Sequence, residues 1–280
     1  MLDVIIATQD PLPEPDHDED VLARALDDAG LTHALHPWNR GPAPDARVCL
    51  IRSTWGYHHD VDGFVGWCAG AAQRMTLLNP LPVIEWNVHK RYLQELQQAG
   101  VPVVPMSILP RERASELVMW LDAFGEGDVV VKPAVSAGSW QTWRVHIDDA
   151  EPYCRQILEH RDVMLQPYMR TIETHPERSL VFIDGEYSHT MHKSPRFADG
   201  EERVSGPHAC ADADLALAKR ALACIPHRLL YARVDLFTGM DGRPCVSELE
   251  LVEPSLFLQQ MPTAAHRLAG ALARIVAGRG

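Results

Sequence analysis

The amino-acid sequence predicts an α/β fold, and three features of the chain indicate it. Near the amino terminus, a buried strand over Leu2–Ala7 is followed by a helical pattern over Asp20–Ala29 that stops at Gly30. The same order returns with a strand over Arg47–Arg52 and an amphipathic helix over Val61–Gln73. Two hairpins built on Asp-Gly turns follow in the carboxy-terminal half. These patterns predict a Rossmann-like amino-terminal lobe joined to a second part that contains hairpins.

Prolines mark the join between these two parts. Pro80 and Pro82 punctuate the region around residues 79–86, which predicts an amino-terminal domain of residues 1–84 and a second domain of residues 85–280. Two helices separated by an extended VPVVPM segment are predicted next, over Val88–Gln98 and Ala114–Phe124. Three strands are predicted after them, over Asp128–Lys132, Trp143–Ile147 and Val163–Gln166.

The carboxy-terminal part is predicted to form the two hairpins and two more helices. The run SLVFIDGEYSHTMHK turns at Asp184-Gly185 between β-forming residues, and YARVDLFTGMDGRPCVSELELVE repeats the pattern of strand, Asp-Gly turn and strand. The helices are predicted before the second hairpin and at the end of the chain, over Asp212–Cys224 and Ala264–Ala277.

Composition and charge exclude several classes of protein. The 280 residues are 46% hydrophobic, enough for a substantial core, and 26 basic against 38 acidic residues give a net charge of −12. That charge, without a clustered positive patch, argues against a nucleic-acid partner. The six cysteines include no C-x-x-C pair and are expected to be reduced core thiols. With no signal peptide and no stretch near the roughly 20 apolar residues of a membrane span, we expect a cytoplasmic protein without a membrane partner.

The most informative residues are three acids on the last hairpin. Glu248 and Glu250 are two apart on one strand and therefore point to the same face, and the hairpin can bring Asp235 beside them. Three carboxylates in one small space favour a divalent cation such as magnesium. The alternative is an acidic face of the hairpin that is merely solvated, and the three acids alone do not decide between the two.

Two lysines and two segments bear on that choice. Lys132 closes the apolar strand DVVVKP, where an ammonium group is costly unless an anion meets it, whereas Lys90 taken alone is an ordinary surface lysine. The loop SAGSWQT, residues 136–142, could fold over phosphate oxygens, although it has no P-loop pattern and a flexible hairpin loop is the alternative. The strand MLQPY could place backbone groups at an adenine edge.

The residues after the second predicted strand are candidates for substrate selection. Arg52, Ser53 and Thr54 follow a strand end, where α/β proteins commonly bind ligands, and the planar guanidinium of Arg52 suits a carboxylate. A capping turn with a core Trp55 is an equal alternative. The neighbouring pair His58 and His59 is interpreted as part of a surface loop, because adjacent side chains on a strand diverge.

In their order along the chain, these features resemble the ATP-grasp enzymes. Lys90, Lys132, the small-residue loop, LQPY and the acidic hairpin occur in the order typical of that superfamily, from about Trp86 to Leu258. The strings NPLPVIEWN, GVPVVPM and ELELVEPSLFL are similar to the cycloserine-synthetase-like group, in the branch of the prokaryotic glutathione synthetases. The resemblance implies a Rossmann-like lobe followed by a two-subdomain ATP-grasp module, with a small lid subdomain at about residues 101–168.

The resemblance also implies a role for each matching position. The ATP phosphates would be contacted by Lys90 and Lys132 and covered by Ser136, Ala137, Gly138 and Ser139, while adenine would lie against Leu165, Gln166, Pro167 and Tyr168. One or two magnesium ions, or manganese, would bind Asp235, Glu248 and Glu250. Basic positions near the transferred phosphate match Lys193 and Arg203, and positions near the acceptor substrate match Glu253 and Ser255. The loop departs from the relatives' glycine-rich run by carrying Trp140, and the route SPRFADGEER between Lys193 and Arg203 is longer than theirs.

By resemblance, the activity would be that of an ATP- and magnesium-dependent carboxylate–amine ligase of EC class 6.3. It would form a C–N bond through an acyl phosphate on a small amino-acid-like substrate and release ADP and phosphate. Two alternatives stay open: an intramolecular ligase that closes a ring, and a regulatory protein that binds ATP without turnover. A homodimer is compatible with the sequence, which carries no signature of one.

Overall fold

The amino-terminal part of the chain forms a parallel sheet. The computed structural model describes residues 1–194 and 203–278, and its first sheet has the strand order β2-β1-β3-β4. The strands are β1 (Leu2–Thr8), β2 (His33–Pro37), β3 (Ala46–Ile51) and β4 (Thr76–Leu78), and the helices between them are α1 (Glu19–Asp28) and α2 (Val61–Ala72). The predicted strands and helices of this lobe are confirmed. Sequence reading missed β2, which is half-exposed, and β4, which has three residues.

The predicted join is helical, contrary to a simple break at the prolines. The next helices are α3 (Leu81–Asn87) and α4 (Tyr92–Gln98). Pro82 lies in the first turn of α3, where a missing N–H costs nothing, so the prolines begin a helix. The predicted helix over Val88–Gln98 starts four residues late, at Tyr92, because residues 88–91 form a turn. Asn79 is buried before α3 and binds the carbonyls of Tyr231 and Leu251.

A second, antiparallel sheet follows with the order β5-β8-β6-β7. Its elements are β5 (Ser107–Leu109), α5 (Leu117–Asp122), β6 (Asp128–Pro133), β7 (Trp143–His146), α6 (Glu151–Leu158) and β8 (Val163–Pro167). The three predicted strands are confirmed. The helix predicted over Ala114–Phe124 is shorter, because its first residues form a 3-10 turn in which Arg113 leaves the helical region at φ −104°. Buried residues of α5, α6 and the sheet share one core.

The third sheet is antiparallel and carries both predicted hairpins, in the order β11-β10-β9-β12-β13. Its strands are β9 (Glu177–Ile183), β10 (Glu186–Ser194), β11 (Arg203–His208), β12 (Tyr231–Thr238) and β13 (Pro244–Glu250), with helices α7 (Asp212–Leu222) and α8 (Pro262–Val276). The first hairpin turns at Asp184 and Gly185, both at positive φ, as an Asp-Gly turn requires. Sequence reading missed β11, and most of the route from Lys193 to Arg203 lies outside the described residues.

One hydrophobic core joins the first and third sheets. Val4 and Leu26 of the amino-terminal lobe belong to the same buried cluster as Val181 of β9 and Leu268 of α8. The helices α1 and α8 pack on each other, so the last helix contacts the first lobe. The face of β12 and β13 is thereby held at a fixed place beside the end of β3. None of the helices in the described part of the chain is both long and apolar enough to cross a bilayer.

Candidate active site

The three predicted metal ligands lie on one face of the last hairpin. In the antiparallel pairing of β12 with β13, Asp235 is opposite Glu248 and Arg233 is opposite Glu250. Residues two apart on a strand share a face, so all four side chains point to the same side of the sheet. The strand alternation that predicted the convergence of Glu248 and Glu250 therefore describes the backbone correctly.

Asp235 is the most deeply buried of these acids, and two cations bind it. Its carboxylate is 1% exposed and lies 2.8 Å from Lys193 Nζ and 2.9 Å from Arg233 Nη2. Burial acts to raise the pKa of Asp235, but the charges of Arg233 and Lys193 outweigh it and hold the pKa below its usual range. Asp235 is therefore an anion at neutral pH.

Glu248 is bound by a lysine from a distant part of the chain. Lys90 Nζ lies 2.6 Å from Glu248 Oε1 and 3.1 Å from the carbonyl oxygen of Ser136. Burial acts to raise the pKa of Glu248, yet the charges of Lys90 and Lys132 outweigh it and lower the pKa. The interpretation of Lys90 as an ordinary surface lysine is wrong, because its side chain is 7% exposed and has two partners. Its position in the turn before α4 directs it to the hairpin.

Lys132 contributes a cation that has no partner carboxylate among the residues that the structure describes. It lies on β6, half-buried, and burial lowers the pKa of its ammonium group, while the Glu248 charge acts in the opposite direction. In the described ranges it makes no ion pair, so its charge is available to an anion that enters the site. This arrangement agrees with the sequence argument that a lysine closing a buried strand awaits an anion.

Two charged residues of the cluster were missed by sequence reading. Arg233 is 6% exposed and binds both Asp235 and Glu250. Glu177 lies 3.4 Å from Lys193 Nζ and accepts a hydrogen bond from Ser247 Oγ at 3.2 Å. Arg233 could have been predicted from the string ARVDLF, because Arg233 stands two residues before Asp235 and therefore lies on the same face of the strand. Glu177 carried no local signal, because only the pairing of β9 with β12 brings it there.

Burial leaves two of these acids with raised pKa values. Loss of hydration raises the pKa of Glu177 to about 7, against the opposing charge of Lys193. Loss of hydration likewise raises the pKa of Glu250 to about 7, against the charge of Arg233. Near neutral pH both carboxyl groups are therefore poised between their neutral and charged forms.

The carboxylates fit magnesium when phosphate supplies the remaining ligands. Within residues 1–194 and 203–278, no group of three or more His, Cys, Asp or Glu side chains is arranged to hold a metal by itself. Magnesium is commonly bound by only one or two carboxylates together with substrate phosphates and water. Asp235 and Glu248 are direct cross-strand neighbours and both anionic, so this donor set fits that mode. The assignment of Asp235, Glu248 and Glu250 as metal ligands stays a prediction.

The small-residue loop lies at the same place as the two lysines. Ser136 is buried, and its carbonyl oxygen accepts the hydrogen bond from Lys90. Gly138 and Ser139 are exposed and have φ values of 58° and 59°, which turn the backbone sharply after Ala137. The loop therefore starts beside the charged cluster, as its predicted contact with phosphates requires.

The predicted adenine segment is the end of β8. Leu165 is fully buried between β5 and β6, and Gln166 is 6% exposed. The N–H of Tyr168 donates to the carbonyl of Asp128 at 2.8 Å, so that N–H is not free for a base. A cavity of about 910 Å³ touches Pro167 and Tyr168, but none of the predicted phosphate or metal residues lines it. The contact of this segment with adenine stays a prediction.

The predicted substrate residues after β3 are buried rather than open. Arg52 is 3% exposed and lies 3.6 Å from Asp18, while its Nε and Nη1 have no hydrogen-bond partner among the described residues. The hydroxyl of Ser53 is shared with Thr8 at 2.9 Å, whereas the buried hydroxyl of Thr54 has no partner there. Unpaired buried donors are costly, which makes Arg52 and Thr54 the stronger ligand candidates of the three.

The segment after β13 connects this loop to the acidic hairpin. The carbonyl oxygen of Glu253 accepts a hydrogen bond from Trp55 Nε1 at 3.1 Å, and that of Ser255 accepts one from Arg233 at 3.2 Å. Loss of hydration, together with the charge of Glu250, raises the pKa of Glu253 to about 8. Trp55 is therefore a link between the lobes and not simply a core residue of a capping turn.

The two predicted catalytic cations are placed differently. Lys193 is 6% exposed and binds Asp235 and Glu177 within the cluster. Arg203 is exposed at the start of β11, opposite Ser194. The structure thus brings Lys193, but not Arg203, into the set of buried charges. The role of Arg203 stays a prediction that rests on the resemblance.

His58 corrects the interpretation of the adjacent histidines. Its side chain is 5% exposed, not on a surface loop, and its ring lies 5.1 Å from that of Trp140. Burial lowers the pKa of His58 to about 4, so the imidazole is neutral. His59 is exposed, as expected of a surface loop, but the two side chains do not diverge. They lie in a 3-10 turn with their ring centroids 4.1 Å apart, and Trp140 of the small-residue loop lies against both rings.

Replacing Glu253 by glutamine should flatten the dependence of stability on pH. The pKa of Glu253 rises from an ordinary value near 4.5 to about 8 on folding, so the folded chain holds more protons between these values. The contribution of the protonated Glu253 carboxyl group to the free energy of unfolding is fully present below pH 4.5 and is lost as the pH rises through 8. We expect the free energy of unfolding, measured with urea at several pH values between about pH 5 and pH 8, to change less steeply with pH in Glu253→Gln than in the wild type. Glu159→Gln, at an exposed glutamate, should keep the wild-type slope, and an equal slope in both variants would contradict the assignment.

Comparisons with known proteins agree with this fold and site. A family model for the amino-terminal domain of the D-cycloserine synthetase DcsG matches residues 4–79. The cycloserine biosynthesis protein DcsG of Streptomyces lavendulae is 34% identical over 279 residues, covering 92% of this chain and 93% of that protein. The crystal structure of D-cycloserine synthetase DcsG has a TM-score of 0.88 at 29% identity, over 98% of this chain and 99% of that one.

A more distant structure shows the wider fold. D-alanine–D-alanine ligase from Bacillus anthracis has a TM-score of 0.68 at 16% identity and covers 100% of both chains. The fold and the charged cluster thus define an ATP-grasp ligase, an enzyme of EC class 6.3. Within that class, the chain belongs to the family of the D-cycloserine synthetase DcsG. The fold class and the family implied by the sequence resemblance are confirmed.

Proposed function

We propose that the chain uses MgATP to convert a carboxylate, or a similar acyl group, of a small amino-acid-like substrate into an acyl phosphate and then joins it to a nitrogen. Enzymes of this class use ATP and Mg²⁺. One observation carries the proposal: four cations from separate elements meet on the acidic face of the last hairpin, and one of them has no carboxylate partner in the described part of the chain. These cations are Lys90, Lys132, Lys193 and Arg233.

The chemistry needs positive charge more than it needs a protein nucleophile. In the first step a substrate carboxylate oxygen attacks the γ-phosphorus, the bond to the bridging oxygen breaks and ADP leaves. In the second step the nitrogen lone pair attacks the acyl carbon, the nitrogen loses a proton, and phosphate departs with the C–O bonding electrons. Lys132 and Lys90 would bind phosphate oxygens, while Lys193 and Arg233 would offset charge on the transferring group. Magnesium, held by the hairpin carboxylates, would supply further charge neutralisation.

The amino-terminal lobe supports an amino-acid-like substrate. Arg52 offers two buried N–H groups, on Nε and Nη1, that have no hydrogen-bond partner among the described residues, and a carboxylate would accept from such a donor. Glu253 offers a half-buried carboxyl group, and the Arg52 guanidinium lies 5.8 Å from the ring of Tyr231, whose pKa burial raises, the Arg52 charge lowers and the Glu253 charge raises. A ligand that carries a carboxylate and an ammonium group would satisfy both. Ser53 and Ser255, which already make hydrogen bonds, would have secondary roles.

Nucleotide product analysis tests the proposal. Purified protein is incubated with MgATP and pools of amino acids and small amino-acid derivatives, and ADP, AMP, phosphate and pyrophosphate are resolved. ADP and phosphate that appear only with one pool support acyl-phosphate ligation. AMP and pyrophosphate would overturn the mechanism, and ATP binding without turnover in every pool would favour the non-catalytic alternative.

Ring closure is the second candidate, because the similarity to a cycloserine synthetase extends over 92% of the chain. In that reaction the nitrogen nucleophile and the activated acyl group belong to one molecule. The product mass separates the candidates: an intramolecular product is one substrate less one water, whereas an intermolecular product is the sum of two substrates less one water. We expect the mass of the product from the active pool to decide between them.

A further inference from the structure

The small-residue loop of residues 136–142, which the proposed function makes the phosphate loop, is anchored to the amino-terminal lobe by a cluster of rings. The ring of Trp140 lies 5.1 Å from that of His58 and 5.2 Å from that of His59. Arg161, which precedes β8, lies 4.7 Å from the same Trp140 ring and donates a hydrogen bond to the carbonyl oxygen of His58. Trp140 and Arg161, which belong to the loops of the second sheet, therefore both contact His58 of the first lobe.

The position of His58 is itself well defined. Its Nδ1 lies 3.0 Å from the carbonyl oxygen of Trp55, and Trp55 in turn donates to Glu253. The segment that holds the cluster, residues 52–59, also carries Arg52 and Thr54 with their unpaired buried groups. The ring cluster and the predicted substrate contacts thus share one short segment of chain.

We propose that Trp140 is a positioning residue, which docks on His58 and His59 and holds the phosphate loop closed when the segment of residues 52–59 is in place. Arg161 stabilises the contact between Trp140 and His58, because it binds both the indole ring and the backbone carbonyl of His58. The loop begins at Ser136, whose carbonyl binds Lys90, so a shift at Trp140 displaces the loop beside the phosphate-binding lysine. The inference rests on the proposed function, and it assigns the coupling between the segment of residues 52–59 and the phosphate loop to four side chains, those of Trp140, His58, His59 and Arg161.

The catalytic consequence is a coupling of ATP use to ligation. A loop that stays docked excludes water from the transferring phosphoryl group and from the acyl phosphate. A loop that is released should still allow nucleotide to bind, because the lysines and carboxylates remain. We therefore expect the variants to lose kcat more than affinity for ATP and to release ADP without an equivalent amount of ligated product.

Hydrogen exchange of the free protein tests the docking without any substrate. Amides of residues 136–142 should exchange about 10-fold faster in Arg161→Ala and Trp140→Ala than in the wild type, with a smaller increase in Trp140→Phe, which keeps a ring. Arg155→Ala is the matched control, because Arg155 is exposed on α6 and, among the described residues, pairs only with Glu151. It should leave exchange of the loop unchanged. Unchanged exchange in both Arg161→Ala and Trp140→Ala would overturn the proposal.

Turnover of the same variants then tests the coupling. With the active substrate pool, the ratio of ADP to ligated product should be near one in the wild type and in Arg155→Ala, and should rise severalfold in Trp140→Ala, less so in Trp140→Phe. A ratio near one in all variants would overturn the coupling. If the wild type shows no turnover at all, the proposed function fails, while the exchange measurement still decides whether Trp140 docks the loop.

Discussion

Replacing Glu248 by glutamine should lower ATP turnover by at least about 100-fold while leaving the protein folded. The substitution removes the charge that faces Asp235 across the strand pair and that Lys90 binds at 2.6 Å. Without it, one of the two anionic donors available to magnesium is lost, and Lys90 loses its carboxylate partner. Turnover is measured as ADP formed with saturating MgATP and the active substrate pool.

The matched control is Glu186→Gln, an exposed glutamate of the same sheet. It changes the net charge by the same amount and should keep wild-type turnover. A circular dichroism melt of both variants separates loss of chemistry from loss of fold. Wild-type turnover in a folded Glu248→Gln protein would remove the basis for the metal assignment at the hairpin.

Local patterns were sufficient to place the acidic hairpin. The alternation of side chains in SELELVE puts Glu248 and Glu250 on one face, and the Asp-Gly turn of the hairpin brings Asp235 opposite Glu248. These are relations between residues of one strand pair, which sequence spacing determines. The same reasoning applied to ARVDLF would have found Arg233, because a two-residue spacing was all that it required.

Contacts between distant segments could not be predicted in this way. Lys90 reaches Glu248 across 158 positions in the sequence, and nothing in EWNVHKRY distinguishes it from a surface lysine. His58 was assigned to the surface because local alternation says nothing about Trp140, which covers it from another sheet. Burial of a polar side chain by a remote element depends on tertiary packing, whereas periodicity reports only the element itself.

The distribution of charge explains why the cluster is stable before nucleotide enters. Asp235 keeps its charge because Lys193 and Arg233 bind it, and Glu248 keeps its charge because Lys90 binds it. The pKa values of Glu250 and Glu177 are raised to about 7, so near neutral pH these two groups are only partly ionised. Buried ions are tolerated when each has a partner and hydrogen bonds. Under the proposed function, the cations would pair with phosphate oxygens and the carboxylates with magnesium when MgATP binds, so each charge would keep a partner.

Replacing Arg233 by methionine should destabilise the folded protein by about 3–5 kcal/mol, because it removes the cation bound to Glu250 and one of the two cations that bind the buried Asp235. Arg233 binds Asp235 and Glu250, donates to the carbonyl of Ser255 at 3.2 Å and lies over the ring of Phe257 at 5.5 Å. Methionine retains much of the volume but none of the donors. Equilibrium urea unfolding at neutral pH measures the loss.

Two further variants show whether charge is the cause. Adding Glu250→Gln to Arg233→Met removes the carboxylate that loses its arginine partner, whereas Asp235 keeps Lys193, so the double variant should recover part of the lost stability. Arg243→Met, at the turn of the same hairpin, removes an 84% exposed arginine whose one ion pair within residues 1–194 and 203–278 is with Asp241. This substitution should hardly change the midpoint of urea unfolding. If the double variant were no more stable than Arg233→Met, lost packing against Phe257, and not an unpaired charge, would explain the effect of the single substitution.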